Sequence, residues 1–435
     1  MHFVYDPGRA PHVPLRDKAL GYFFTDYVPG DQSRVAERAI SAHADLLPAM
    51  TLLGVAGLAR LYRSADLKTM AAALYGDAIR HLNTALRLPE TAKRDSTLLS
   101  IHILTYYEAE TGASRKSFEA WQTHINGAAA LLDMRGPEQF LSPSGRTLFV
   151  QTVFNLTGVC IHQFVPLPHS LFLMLSQAEA HLHDPENPVL HQLHIIWRLA
   201  ELNSAVHHKR ITDIDTIIMR TLELDIELAD AIDRIGQLPG WGHAVEELDN
   251  SFLPDLPAYR QIFEHFLPSQ QINFARVSRM ALNGIIFRTL RRSVSAPLSD
   301  VHQDLLTQTR AIILDLQQDI LASIPQYLGM TYMPSFGLGG SSKNAKQPAP
   351  LSLWSAWGSN DLVTPLAQQG DSPPDLPTLR LAGGNGVILL LSAVGNTPLT
   401  TPALRRWIVD TLMYIGEEVG IKQALVVAQA VRSKG

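Results

Sequence analysis

His124-Ile125-Asn126-Gly127-Ala128-Ala129-Ala130-Leu131-Leu132-Asp133-Met134-Arg135-Gly136-Pro137 is the stretch on which the reading of the fold turns. His124, Ala128, Leu131 and Arg135 recur at steps of four, three and four residues, which places them on one face of a helix. Gly127, Ala128, Ala129 and Ala130 are small, so a neighbouring helix can approach closely. Gly136 can take the left-handed backbone that a helix end needs, and Pro137 cannot continue the helix. The segment reads as the last turns of a helix over residues 114–134, a packing and capping element. A direct ligand role for Trp121 or His124 is the alternative.

The same signals repeat outward from it. Residues 15–28 carry Leu20, Phe23, Phe24 and Tyr27 at helical spacing, and Pro29-Gly30 stops them. Residues 46–62 form a strongly apolar helix. Asp66 is the expected N-cap of the next one, which presents Met70, Leu74, Ala78, Leu82 and Leu86 on one face, runs to about Leu88, and ends at Pro89. Asp95-Ser96 opens a helix that stops before Gly112.

Downstream, residues 145–162, 169–183, 188–208 and 211–235 all have helical periodicity, and Gly236 with Pro239-Gly240 breaks the chain. Residues 259–290 and 301–324 are expected as long helices, with a break near Pro268 and an end at Pro325. Residues 329–377 are rich in Gly, Pro and Ser and read as a long loop whose Trp354 and Trp357 pack back onto the helices. Helices resume at 405–416 and 417–431. Val387–Val394 is apolar throughout; periodicity leaves it open between a short strand and a buried helix turn.

No period-two strand pattern persists. The expected fold is therefore all-α: a multi-helix array of antiparallel packed helices, with residues 1–14 as an irregular lead-in. Residues 15–435 would then make a single large helical domain, with the loop or insertion at 329–377.

Composition sets bounds on function. The 435 residues are 46% hydrophobic and 18% charged, enough for a sizeable core and unlike a disordered tail. The net charge of −5 gives no basic footprint of the kind that phosphate neutralisation requires. The tightest basic cluster, Arg288, Arg291 and Arg292, reads as a solvated helix end. One cysteine, Cys160, excludes an intrachain disulfide and any all-cysteine zinc site. No basic leader precedes a long apolar run, and the uninterrupted apolar runs fall short of about 18 residues, so neither a signal peptide nor a membrane span is expected.

Chemistry-bearing patterns are sparse. His191 and His194 share a helix face, and Glu201 could complete a ligand set, but no His-Glu-x-x-His pattern accompanies them, so they read as solvated histidines and no metal is expected. The glycine-rich run 337–343 lacks Walker spacing and a preceding strand. Gly383-Gly384-Asn385-Gly386 reads as a turn. No Gly-x-Ser-x-Gly elbow occurs, and Cys160 reads as a small buried hydrophobe rather than a nucleophile, even with His162 nearby. No catalytic residue and no cofactor are assigned. Tyr106, Tyr107, Phe118 and Trp121 can converge between neighbouring helices. Tyr106, Tyr107, Trp121 and His124 are accordingly the candidate ligand-binding residues, with core packing as the alternative.

Several segments resemble the regulatory domain of fungal zinc-cluster transcription factors. Ala73-Leu74-Tyr75-Gly76-Asp77-Ala78-Ile79 with Leu82-Asn83-Thr84-Ala85-Leu86 looks like its early helix, and His124–Pro137 looks like its most recognisable segment. Leu148-Phe149, Cys160 and Pro166-Leu167-Pro168 look like the stretch that comes next in that domain. Ile320-Leu321-Ala322-Ser323-Ile324-Pro325 with Leu328-Gly329, then Trp407-Ile408 and Gly420-Ile421-Lys422-Gln423-Ala424, are similar to its later motifs. The resemblance spreads from about residue 15 to 432.

The resemblance implies a helical regulatory protein of the nucleus, with the cytoplasm as the alternative. In that family DNA is gripped by an upstream cluster of two zinc ions held by six cysteines, which one cysteine cannot build. A regulator acting through a protein partner, a homodimer or a small-molecule effector is therefore expected, without direct nucleic-acid binding unless such a cluster lies upstream. A helical scaffold repurposed as an enzyme or small-molecule binder in a fungal biosynthetic pathway is the second reading, and a purely structural interaction module the third.

Overall fold

The computed structural model describes residues 13–28, 43–112, 115–181, 188–239, 241–248, 255–263, 266–292, 299–328 and 383–433. The lead-in as far as residue 12 and the loop expected at 329–377, with Trp354 and Trp357, lie outside them. The described residues form fifteen α-helices and one two-stranded sheet.

The helices are α1 (Leu15–Asp26), α2 (Leu47–Leu61), α3 (Ala65–Ala85), α4 (Pro89–Ala92), α5 (Asp95–Thr111), α6 (Arg115–Arg135), α7 (Pro143–Gln163), α8 (His169–His181), α9 (Pro188–His207) and α10 (Ile214–Gly236). After the hairpin β1 (His243–Glu247) and β2 (Tyr259–Phe263) come α11 (Phe266–Arg292), α12 (Asp300–Tyr327), α13 (Gly383–Asn396), α14 (Pro402–Tyr414) and α15 (Gln423–Arg432). Packing is largely between sequence neighbours: α1 on α2, α2 on α3, α5 on α6, then α9, α10, α11 and α12 in succession. One hydrophobic core runs from Ala19 on α1 to Val431 on α15, and a second cluster joins α9, α10 and α11 through Leu199, Leu228 and Leu282.

Helix α2 is the centre of the first half. Residues Ala44–Leu61 form an 18-residue window of mean hydropathy 1.4, as long and apolar as a membrane-crossing helix, and 61% of it is buried inside the protein. Met50, Leu52 and Leu53 are fully enclosed. Its glycines admit α1: a Cβ on Gly54 would stand 2.0 Å from the Ala19 carbonyl oxygen.

A polar cluster sits where α1, α2 and α5 meet. The Tyr27 hydroxyl donates to Glu110 Oε1 at 2.6 Å, Arg60 donates to the Tyr22 hydroxyl at 3.0 Å, and the Arg60 guanidinium lies 3.5 Å from Glu110. The far end of the chain closes over it. The Lys422 amide donates to the Glu110 carbonyl at 3.1 Å, Arg63 pairs with Glu418, and Gly420, at φ 92°, lies against the Arg60 stem.

Asp26 adds a second buried carboxyl to this cluster. Burial pushes it up to about 6, against the attraction of Arg60 and with the help of Glu110. The folded chain therefore holds this proton up to about pH 6, while an ordinary aspartate releases it near 3.8. Its contribution to stability is full below the lower value and is lost as pH rises through the upper one. Asp26→Asn is expected to stabilise the protein by about 1 kcal/mol at pH 7 and by less at pH 4.5. Urea midpoints of both chains at the two pH values measure this; equal changes at both would show that Asp26 is not the group responsible.

Several boundaries differ from the sequence expectation. Ser64, not Asp66, caps α3, accepting the Leu67 amide at 3.3 Å, and Asp66 sits in the first turn. Pro89 opens α4 instead of closing α3, because the first turn needs no proline N–H. Pro268 lies inside the first turn of α11, so the break expected near it falls just upstream, between the end of β2 at Phe263 and the start of α11 at Phe266. Pro325 does not end α12, which continues to Tyr327; only the last turn lies beyond the proline.

The five expected core positions of α3 also drift. Ala78 and Leu82 are buried, whereas Met70 and Leu86 are exposed. Successive i+4 steps rotate by about 40° each, so a long i+4 series leaves the buried face at both ends.

Residues 259–263, expected as helix, are strand β2, with Gln261 and Phe263 buried and paired to β1 in the register His243 to Phe263. Val387–Val394 resolves as part of α13. The helix expected over 417–431 is divided by a π-type turn, Ile415–Val419, before α15.

Candidate functional site

The His124–Pro137 motif is chiefly a joint between helices. Ala128, Leu131 and Arg135 are buried along one face of α6, and Leu132 is fully enclosed. Gly127 corrects the close-approach expectation: it is exposed, and a Cβ there would meet nothing within 4 Å. The small buried residues are Ala128 and Ala129.

Arg135, in the last turn of α6, is buried and pairs with Asp95 in the first turn of α5, each charge matching the dipole of its own helix end. Ser144 on α7 donates to the second Asp95 oxygen at 2.5 Å. Gly136, at φ 65°, turns the chain where a side chain would be strained. Gln139 then donates to the Leu132 and Gly136 carbonyls at 3.1 and 2.7 Å, satisfying the end of α6. Three helices are thus fixed around one carboxylate.

At the other end of this motif, α3, α5 and α6 bring a polar and aromatic group together. The Tyr75 and Tyr107 rings stack with centroids 4.9 Å apart and planes 19° apart. The Tyr75 hydroxyl lies 3.3 Å from His124 Nε2, with the Glu108 carboxyl near enough to act on it electrostatically. A phenol can accept from an imidazole, so Tyr75 can accept from His124 when Nε2 carries the proton. Tyr75, Glu108 and His124 are half-buried and Tyr107 is buried. Burial raises the pKa of Tyr75, Tyr107 and Glu108 and lowers that of His124. Each shift favours the uncharged form, so the group behaves as a hydrogen-bonding, weakly charged patch.

Of the residues selected from sequence, Tyr107 and His124 converge on Tyr75. Trp121 is half-buried against the main core, and Tyr106 is buried within that core. Phe118 lies outside the residues whose side chains are described. Tyr75 and Glu108 were not selected. Tyr75 lies inside the quoted Ala73–Ile79 segment, and its place opposite Tyr107 is the signal that a helix-pairing argument would have used.

Elsewhere the chemistry stays sparse. Cys160 is buried, and burial pushes its thiol up to about 11, which keeps it protonated at neutral pH. His191, His194 and Glu201 belong to no group of three or more metal-ligating side chains among the described residues.

Residues 41–163 match the fungal specific transcription factor domain. The match begins just before α2 and ends on the last residue of α7, so it takes in the Arg135–Asp95 joint and the Tyr75–Tyr107–His124 group. The later motifs at 320–325, 407–408 and 420–424 lie outside it. An uncharacterized protein of Emericella nidulans is 34% identical over 77 residues, 18% of this chain and 16% of that relative. The chain thus spans about a sixth of the length of the curated relative it matches. No solved structure matches.

Proposed function

We propose that this chain is a transcription-regulatory protein that works in the nucleus through a protein partner, a second copy of itself or a small-molecule effector, and does not itself grip a duplex. The observation that carries this reading is the match of residues 41–163 to the fungal specific transcription factor domain. The net charge of −5 and the lone cysteine support a role without direct phosphate contacts in these 435 residues. On this reading the Tyr75–Tyr107–His124 group is where an effector would meet the domain.

The test is a tethering assay. The chain is fused to an unrelated DNA-binding domain and brought to a reporter promoter in a fungal host. Reporter output is expected to change by about fivefold or more in either direction, against the DNA-binding domain alone, with the fusion found in the nucleus. Unchanged output from a stably expressed nuclear fusion would sink the regulatory reading.

A further inference from the structure

A cleft of about 550 Å³ opens between α8, α9 and α10, outside the segment matched to the family. Its size suits a small organic molecule. The floor is apolar and aromatic: Trp197, Leu202 and Leu224 are buried there, and the Phe172 ring stands 5.5 Å from Trp197. The rim is charged, and its charges divide into two kinds. Arg198 is already neutralised, donating to both Glu227 oxygens at 2.8 and 2.6 Å and to Glu223 at 3.0 Å. Glu201 on the α9 wall and Arg220 on the α10 wall have no ion pair or hydrogen bond among the described residues, and are not paired with each other. The cleft therefore offers an apolar and aromatic lining with Glu201 on α9 and Arg220 on α10 unpaired among the described residues, beside an Arg198 group in which two glutamates share one guanidinium and one net negative charge remains.

We infer that this cleft binds a zwitterionic aromatic small molecule of the aromatic amino acid type, its ring on Trp197 and Phe172, its ammonium toward Glu201 and its carboxylate toward Arg220. A ligand with only one charge would satisfy one wall and leave the other charge of the rim without a partner. A ligand with neither would gain the floor alone. This inference rests on α8–α10 and holds whether or not the chain regulates transcription.

The test uses the full chain and three probes that share a ring: 3-(2-naphthyl)-L-alanine, 3-(2-naphthyl)propionate, which lacks the amine, and 2-(2-naphthyl)ethylamine, which lacks the carboxylate. Calorimetric titration is expected to give the amino acid an affinity about fivefold higher than either singly charged probe, the size expected for one exposed charge pair. Arg220→Gln is expected to remove the advantage over the amine, and Glu201→Gln the advantage over the propionate. Both residues are on the exposed rim, so these variants fold. Ala205→Trp, which fills the cleft, is expected to abolish binding of all three, and its far-ultraviolet dichroism reports whether it has folded. Equal affinity for the three probes, no binding of any, or rim variants that bind like the parent would each overturn the inference.

Discussion

Gly54→Ala is expected to lower stability by about 3 kcal/mol, an unusually large effect for the addition of one methyl group to a helix. In an exposed helix the same change stabilises by roughly 0.5–1 kcal/mol. The sign reverses here because the new Cβ would stand 2.0 Å from a backbone oxygen, that of Ala19, and 2.6 Å from its carbonyl carbon. A side chain can rotate away, but a helix backbone moves only with its whole element, and α1 carries Phe23 and Phe24 into the core. The control is Gly127→Ala on α6, where nothing lies within 4 Å, and which is expected to raise stability by about 0.5–1 kcal/mol. Denaturant unfolding of both variants measures the contrast. Equal and small effects would mean that α1 does not seat against α2 as described.

Glu110→Ala is the second large effect, expected to cost about 3–5 kcal/mol. The carboxylate is buried and accepts from Tyr27 at 2.6 Å, with the Arg60 guanidinium 3.5 Å away. Truncation leaves the Tyr27 phenol without its acceptor and the Arg60 guanidinium with the Tyr22 hydroxyl and the Asp26 carboxyl near it, and the loss is dominated by the broken ion pair. Glu110→Gln keeps an acceptor for Tyr27 and is expected to lose less; Tyr27→Phe removes one hydrogen bond and is expected to cost about 1–2 kcal/mol. Equilibrium unfolding at pH 7 ranks the three. A Glu110→Ala chain within 1 kcal/mol of its parent would show that Arg60 finds water instead, and that the cluster is open rather than closed.

How much could be read from the residues alone depends on how local each signal is. The end of α6 was legible because Gly136-Pro137 settles it within two residues, whatever packs nearby. The all-α class was legible because long apolar periodicities survive errors at their ends. The hairpin was not: Tyr259–Phe263 is only five residues long, its partner His243–Glu247 is exposed throughout, and residues 248–258 separate them in sequence, too many for a two-residue turn signal. Prolines 89 and 325 misled because their effect depends on whether the surrounding turn needs the missing N–H, which tertiary placement decides.

In the candidate site, Tyr107 and His124 could be chosen by residue type, whereas Tyr75 and Glu108 depend on which faces of α3 and α5 turn toward α6. Networks held by distant partners were invisible for the same reason. Arg276, buried and bonded to Gln261 at 2.7 Å and Asn273 at 3.1 Å, gave no sign of itself in the sequence.

The Lys422 amide that caps the Glu110 carbonyl, and Gly420 lying on Arg60, have a consequence for synthesis. A ribosome adds about 5–20 residues per second, so the helices around Glu110 leave the exit tunnel tens of seconds before the residues that seal them. During that interval α2, among the most apolar helices of the chain, has an incomplete enclosure, and a nascent molecule is then most exposed to aggregation and most in need of a chaperone.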